Sequence, residues 1–414
     1  MTKRAIVVGA GITGVASALW LQRAGWQVEL IDRVAPGDPL QSSYGNAGLL
    51  ARGSILPNAE PGMLWKVPGM LLNGDSPLFL RWRYLPRLLP WFTRFIFAGG
   101  KANFAKVIAP LDALVNDTIE QHQALTAGTA AARHIKLGEY SYLYPNRAAY
   151  EAEAASTALK KQYGLKSYTL EGDALAAHTP NLGPNYQFMS VYPDYGWITD
   201  PGAYMRDLAA HFVAQGGTLR LAKVQAIEPG NPASVVLEDG AILNADKVVL
   251  TAGAHSQQLL GKTGPRLWLE AERGYHLFLK NPNIQPPNPI MVEDAKCVIT
   301  PMEQGLRIAG IAEYAKLDAP RGTAPLALLR KRLMQVYPDL TFDEAEEWMG
   351  QRPSTPDGLP YLGEDANLPG VICAFGSQHI GLTIGPRLGR MVTDIANGNR
   401  PNRNIEPYRV NRHS

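Results

Sequence analysis

At 414 residues, 46% of them hydrophobic and 19% charged, the chain has the composition of an ordinary folded protein and the length for two cores. A net charge of only +3 argues against nucleic acid as the main partner. Two cysteines, Cys297 and Cys373, have neither CxxC nor metal-ligand spacing, which argues against a disulfide framework or a metal centre and makes a reducing, cytoplasmic compartment the expectation.

The first residues, MTKRAIVVGAGITGVASALWL, place basic residues before an apolar run, as a secretory signal does. Gly9, Gly11 and Gly14 interrupt that run and no small-residue cleavage site closes it, so the reading adopted is strand, turn and helix. The strand is predicted over 5–8, the helix carries Val15, Ala18, Leu19 and Leu21 on its apolar face, and Gly25 ends it. A second strand, VELID, ends on Asp32. Glycines at this spacing let the backbone approach a pyrophosphate, which the helix N-terminus attracts, and Asp32 is placed to accept ribose hydroxyls. The plainer alternative is a tight strand–helix turn with a solvated Asp32. NAD and FAD share this fingerprint, so the motif alone leaves the dinucleotide open.

Residues 77–100 (PLFLRWRYLPRLLPWFTRFIFAGG) are aromatic and carry Arg81, Arg83, Arg87 and Arg94 without an acid. They read either as helices packed on their own domain, with Pro86 and Pro90 at bends, or as a basic amphipathic surface for a membrane. No stretch offers the roughly 18–20 unbroken apolar residues of a membrane-spanning helix. Asp200-Pro201 opens a predicted helix that Gly216-Gly217 closes. SVVLEDGAIL predicts a hairpin turning at Asp239-Gly240. ADKVVLTAGAHS (245–256) predicts a strand entering a turn of small residues, Thr251, Ala252, Gly253 and Ala254, against which a ligand or another backbone can lie. GYHLFL and GLRIAGIAEY alternate like strands of a half-buried sheet.

The segment QRPSTPDGLPYLG (351–363) holds Arg352 on a stiff base. Pro353 forces the arginine's backbone to be extended, and Pro356-Asp357-Gly358 closes a turn just beyond. A guanidinium so fixed suits the grip of a carboxylate through two parallel charge-assisted hydrogen bonds. The alternative is a structural salt bridge to Asp357 or another acid. Farther on, a strand is predicted over 371–375, a glycine-bearing loop over 376–385, and a helix from about Pro386. That helix N-terminus would give an extended FAD its second contact and stabilise negative charge on a reduced flavin. No second glycine fingerprint for a separate nicotinamide is visible.

VVGAGITGVASALWL, SSYGNAGLL, TAGAHS, RPSTPDGLPYLG and HIGLTIGPRLGRMVTDI, in that order, resemble the D-amino acid oxidase family of flavoproteins, and within it the bacterial D-amino acid dehydrogenase small subunits. Residues 63–200 match only loosely. The resemblance implies an α/β fold in which a Rossmann-like FAD-binding domain (1–60, 198–262 and 346–414) is interleaved with a mixed-sheet α+β substrate domain (61–197 and 263–345). It implies cofactor contacts at Gly9, Gly11, Ile12, Thr13, Gly14, Asp32, Arg33, Ser43, Gly45, Asn46, Ala47 and Gly48. Val224, Thr251, Ala252, Gly253, Gly381, Leu382 and Thr383 complete that set.

The resemblance gives Arg352 the substrate carboxylate. Tyr275 and His379 are further catalytic candidates, each with a packing alternative, whereas His276, Tyr361 and Cys373 read as packing. Because EEWMGQRPSTP lacks the cysteine that some relatives link to flavin, the FAD is expected to be non-covalent. The implied reaction is oxidation of a D-amino acid, including cyclic ones such as D-proline or hydroxyproline, by hydride transfer from the α carbon to flavin N5. A quinone or other acceptor would take the electrons, with residues 77–100 as a contact to the inner face of the cell membrane. The alternatives are an oxygen-using glycine or sarcosine oxidase and, from another class, an NAD(P)-dependent dehydrogenase or a nucleotide-binding regulatory protein.

Overall fold

The computed structural model describes residues 2–261, 265 and 267–413; the expected domain boundary at 262–263 lies outside them. Arg4–Val8 forms the middle of a six-stranded sheet, flanked in parallel by Gln27–Asp32 and Lys247–Leu250. Thr218–Leu221 and Val371–Phe375 extend it in parallel on either side, and Tyr361–Gly363 closes one edge antiparallel. Val371–Phe375 is buried along its whole length and Arg4–Val8 from its second residue on, because helices cover one face of this sheet and a smaller, three-stranded sheet covers the other. Ile12–Arg23 is the first crossover helix. The hairpin at Asp239-Gly240 belongs to a separate three-stranded sheet (Val224–Glu228, Ala233–Leu237, Ile242–Ala245).

The C-terminal helix spans Gly381–Ala396, five residues earlier than the sequence predicts from Pro386. Proline in a helix leaves the carbonyl four residues back without its donor. Here that carbonyl belongs to Leu382, and buried His122 takes it: Nε2 lies 2.9 Å from Leu382 O, while Nδ1 accepts from the Tyr204 hydroxyl at 2.7 Å. The orphan is satisfied from outside, so the helix runs through the proline. The helix also packs tightly on Ile12–Arg23, since a Cβ on Gly385 would meet Ile12 at 2.8 Å and one on Gly389 would meet the Ala16 backbone at 2.7 Å.

The second sheet has ten strands and forms a platform. Its main path runs Glu344–Ser354, Glu270–Lys280, Gly305–Tyr314, Cys297–Met302, Ile290–Val292, Ile135–Tyr144, Phe188–Ile198 and Leu49–Leu50. The first three are antiparallel partners, with Glu272 directly opposite Arg352. On one face, Tyr275, Leu277 and Leu279 enter a core with the helix Ala324–Val336. Arg352 therefore stands on a strand of the platform, and its own turn is tied to the chain terminus.

That tie is an ion pair. Arg412 holds Asp357 bidentately, with Nε to Oδ2 at 2.8 Å and Nη2 to Oδ1 at 3.1 Å, and also donates to the carbonyls of Leu359 and Pro360. Burial pushes the Asp357 carboxyl up, but Arg412 and His413 together hold it well below the usual carboxylate range. Arg412→Met would strand this carboxylate among buried neighbours, and a loss of about 3–5 kcal/mol in denaturant unfolding is expected. A loss below about 1 kcal/mol would show that water reaches Asp357 instead.

Residues 77–100 form the strand Leu78–Leu80, a turn of 3-10 helix and the helix Leu85–Ala98, which contains Pro90 instead of bending apart there. Leu88 and Trp91 are buried, whereas Trp82 and Phe97 stand 58% and 75% exposed. Among the described residues no helix is long and apolar enough to cross a membrane.

Candidate active site

A cavity of about 900 Å³ runs from the glycine turn to the platform. Every candidate cofactor contact lines it except Gly14 and Gly48, and so do Arg352, Tyr275 and His379. The two exceptions shape it from behind. A Cβ on Gly14 would come within 1.8 Å of the Gly9 carbonyl, and Gly48 has φ +82 with the Ile198 carbonyl 2.5 Å from where a Cβ would stand.

The nucleotide end is an open cradle. Gly9 has φ +104 and lies against Thr251 and Ala252, so the small-residue turn first serves to let two backbones touch. Thr251 Oγ1 bonds to the carbonyls of Val8 and Gly9. Gly11 caps its helix without a side-chain bond; Ser43 Oγ accepts the Ile12 N–H at 3.0 Å, and Thr13 follows on the cavity wall with an N–H outside the helical ladder. Asp32 accepts from the Ala10 N–H at 2.7 Å through Oδ2, which fixes the turn and holds the carboxylate at the wall. Arg33 and Val224 line the same end. A cradle with two glycine approaches, a free helix terminus and an acid at the next strand end fits the pyrophosphate and ribose of FAD.

At the other end, Gly381, Leu382 and Thr383 supply the first turn of the C-terminal helix. Thr383 Oγ1 is engaged with Leu49 O and Ala51 N, so it is the backbone of this turn, not the hydroxyl, that could meet a cofactor. Ser43–Gly48 passes between the two ends. Asn46 Oδ1 accepts from Gly48 N at 2.9 Å, and the Asn46 carbonyl accepts from Arg307 at 2.5 Å. Arg307 is buried, anchors the Tyr44 carbonyl as well, and holds this loop to the platform. Trp348, stacked on His276 at 4.8 Å, fills the space left by Gly45 and Gly350. Cys297 and Cys373 are both buried in the cores, away from the cavity wall.

Arg352 reaches across Gly274, where a Cβ would lie 2.4 Å from Nη2, to the next strand but one, Gly305–Tyr314. A bulge there, with Ile311 at φ +60, turns two carbonyls toward it. Nη1 donates to Glu272 Oε1 at 2.7 Å and Ile311 O at 3.0 Å; Nη2 donates to Gly310 O at 3.2 Å. Three of the five guanidinium donors are thus taken. The Nε–H and the second Nη2–H, which form one side-on fork, have no partner among the described residues, and the side chain is 23% exposed.

The Tyr275 hydroxyl, read in the sequence as either over the substrate or packed in the core, is engaged by protein groups. It donates to Glu313 and accepts from Gly322 N at 2.9 Å, on the platform face that packs against the helix Ala324–Val336. Alternation along the strand turns the Tyr275 ring to the face opposite Glu272 and Gly274, although the residue still borders the cavity. His379 is open to the cavity yet ringed by protein. Burial and then Arg352 push its imidazole down to about 4, with Glu272 opposing, so the ring is neutral at pH 7.

Two other histidines are held neutral. Burial puts His122 at about 4, and burial with Arg307 puts His276 well below its ordinary value. An unfolded histidine takes a proton near pH 6.5, so between that pH and about 4 the unfolded chain binds more protons than the folded one. The histidine contribution to stability is whole above pH 6.5 and erodes as pH falls. The melting temperature of the FAD-loaded protein should therefore drop across that window, and His122→Asn should flatten part of the slope.

Glu272, Gly274, Trp348 and His122 are the residues that the sequence reading missed. Only Gly274, a glycine within a strand pattern, carried a local signal, that of a close approach.

The model of the family described as FAD dependent oxidoreductase matches residues 4–395. A D-amino-acid oxidase of Bradyrhizobium diazoefficiens is 36% identical over 408 residues, covering 97% of each chain. A D-amino acid dehydrogenase of Methylobacterium nodulans is 28% identical and covers 96% of each. Among solved structures, glycine oxidase from Geobacillus kaustophilus has the same fold, with a TM-score of 0.74, 19% identity and full coverage of both chains. With its glycine cradle and helix terminus on one cavity and this match along its length, the chain belongs to the family of FAD-dependent oxidoreductases that includes the D-amino-acid oxidases.

Proposed function

We propose that the protein oxidises a D-amino acid at the carbon bearing its amine, with Arg352 holding the carboxylate. The observation that carries this reading is the free side-on fork of a guanidinium fixed by three other bonds on the cavity wall. Bound FAD supplies the two-electron acceptor for the α-hydrogen. The chain supplies position: Arg352 fixes the acid group, and the platform strands set where the α carbon then lies. Relatives named for D-amino acids support the stereochemistry. Anaerobic mixing of the FAD-loaded protein with D- and L-amino acids, N-methyl amino acids and proline derivatives tests it. Bleaching of the flavin by members of the D series is expected, and bleaching by L-amino acids alone would contradict it.

For the acceptor we infer a quinone met at a membrane surface. The helix Met63–Leu72 lines the cavity with Met63, Val67 and Met70 and leaves Trp65 85% exposed. Arg83 and Arg87 are exposed on the same segment as Trp82 and Phe97, so residues 82–97 offer apolar side chains together with positive charge. Sedimentation with anionic vesicles should carry the protein down, and Trp65→Ser with Phe97→Ser should release it. Rapid reoxidation of the reduced flavin by air, with none by a soluble quinone, would favour an oxidase instead.

A further inference from the structure

A second pocket, of about 540 Å³, shares no lining residue with the cofactor cavity. It opens between the start of the helix Thr118–Thr126, the later turns of the C-terminal helix and the segment that follows them. Arg387, Arg390, Arg400 and Arg403 line it against two acids, Asp117 and Asp394, with only amide side chains besides. Arg387 is the anchor. Its side chain is 2% exposed, Nη2 pairs with Asp117 Oδ2 and Nη1 lies 3.5 Å from Asn402 Oδ1, yet Nε is buried without a partner among the described residues. Arg403 Nε is buried and unpaired in the same way, while its Nη2 lies 3.3 Å from Asn116 Oδ1 and 3.8 Å from Asp117 Oδ2. Arg390 stands over the Trp20 ring, and neither it nor exposed Arg400 makes a hydrogen bond to a described residue. Asp117 Oδ1 and Gln121 Oε1 are buried acceptors that lack a donor. Gathering four guanidinium groups costs repulsion that two aspartates offset only in part, and each buried donor left open adds to the cost. One bound anion would relieve both.

We propose that this pocket binds a soluble, hydroxyl-bearing phosphomonoester, with its phosphate among Arg387, Arg400 and Arg403. The arginines exceed the aspartates by two charges, which matches a phosphate dianion. Its tetrahedral oxygens accept from guanidinium groups that approach from different sides, whereas a carboxylate presents two oxygens in one plane. The open acceptors Asp117 Oδ1 and Gln121 Oε1 suit hydroxyls carried next to the phosphate, as on a sugar. The lining holds no apolar side chain for an acyl chain or a base to rest on, which sets lipids and nucleotides aside. None of this depends on which amino acid the protein oxidises.

The test is calorimetric titration of the FAD-loaded protein with ribose 5-phosphate, and with ribose as control, at constant ionic strength. Ribose 5-phosphate should bind at one site per chain and ribose should not. Arg400→Gln and Arg403→Gln should each weaken ribose 5-phosphate about tenfold or more, the size of one charge-assisted bond, with flavin content unchanged. Ligand-free Arg400→Gln should melt no lower than wild type, because it removes a like charge from a crowded cluster. A lower melting temperature would overturn the inference, since the arginines would then be a structural ion cluster. So would a wild type that takes up no ribose 5-phosphate at millimolar concentration. Equal affinity in wild type and both variants would also overturn it, by moving the anion to another cation such as Arg352.

Discussion

Gly14→Ala is expected to yield protein that purifies without its flavin. A Cβ at that position would lie 1.8 Å from the Gly9 carbonyl and 2.7 Å from Thr251 Oγ1. The first of these is backbone and cannot swing aside, so the turn that carries Gly9 and Gly11 must open. Forcing a methyl into a packed site costs about 1–3 kcal/mol even where side chains can adjust. At about 1.4 kcal/mol per factor of ten, FAD affinity should fall roughly 10- to 100-fold or more. Gly240→Asn is the control, since Gly240 also has positive φ but meets nothing within 4 Å. Reconstitution titrations followed by flavin absorbance compare the two, and a Gly14→Ala protein with wild-type affinity would remove the glycine turn from the dinucleotide site.

Arg352→Ala is expected to raise KM for amino-acid substrates tenfold or more while FAD stays bound. A hydrogen bond to a charged group is worth about 1.5–3 kcal/mol, and the substitution also leaves Glu272 facing the incoming acid. Arg352→Lys keeps the charge and loses the planar fork, so it should fall between the two. Gly274→Ala gives an independent check. Its Cβ would stand 2.4 Å from Nη2, so the guanidinium must move although it is still present. A Gly274→Ala enzyme that binds flavin normally but shows the raised KM of Arg352→Ala would assign the effect to position, not to charge alone. Unchanged KM in both variants would take Arg352 out of the site.

How legible this was in the sequence follows from the range of the interactions. The glycine turn, the strand ending on Asp32 and the helix capped by Asp200 are local patterns, and the structure has each; Asp200 Oδ1 accepts the Ala203 N–H at 2.9 Å. The start of the C-terminal helix was not local. Pro386 reads as a first-turn residue until His122 is seen bonding the carbonyl it orphans, that of Leu382, 260 positions from the histidine. Arg352 could be read as a stiffly held cation, but its salt bridge could not be assigned. The local candidate, Asp357, turned out to belong to Arg412, and the partner is Glu272, 80 residues upstream on the neighbouring strand. Tyr275 shows the same limit. Its strand was legible, yet which face met the cavity depended on the bulge opposite Gly274.

The most direct measurement is a crystal structure of the FAD-loaded protein with a non-reactive analogue of its substrate. The predicted result is a flavin reaching from the glycine cradle to the helix at Gly381. The analogue's carboxylate should lie within about 3 Å of Nε and Nη2 of Arg352. A carboxylate bound away from Arg352, with the guanidinium's fork still facing empty space, would contradict the account.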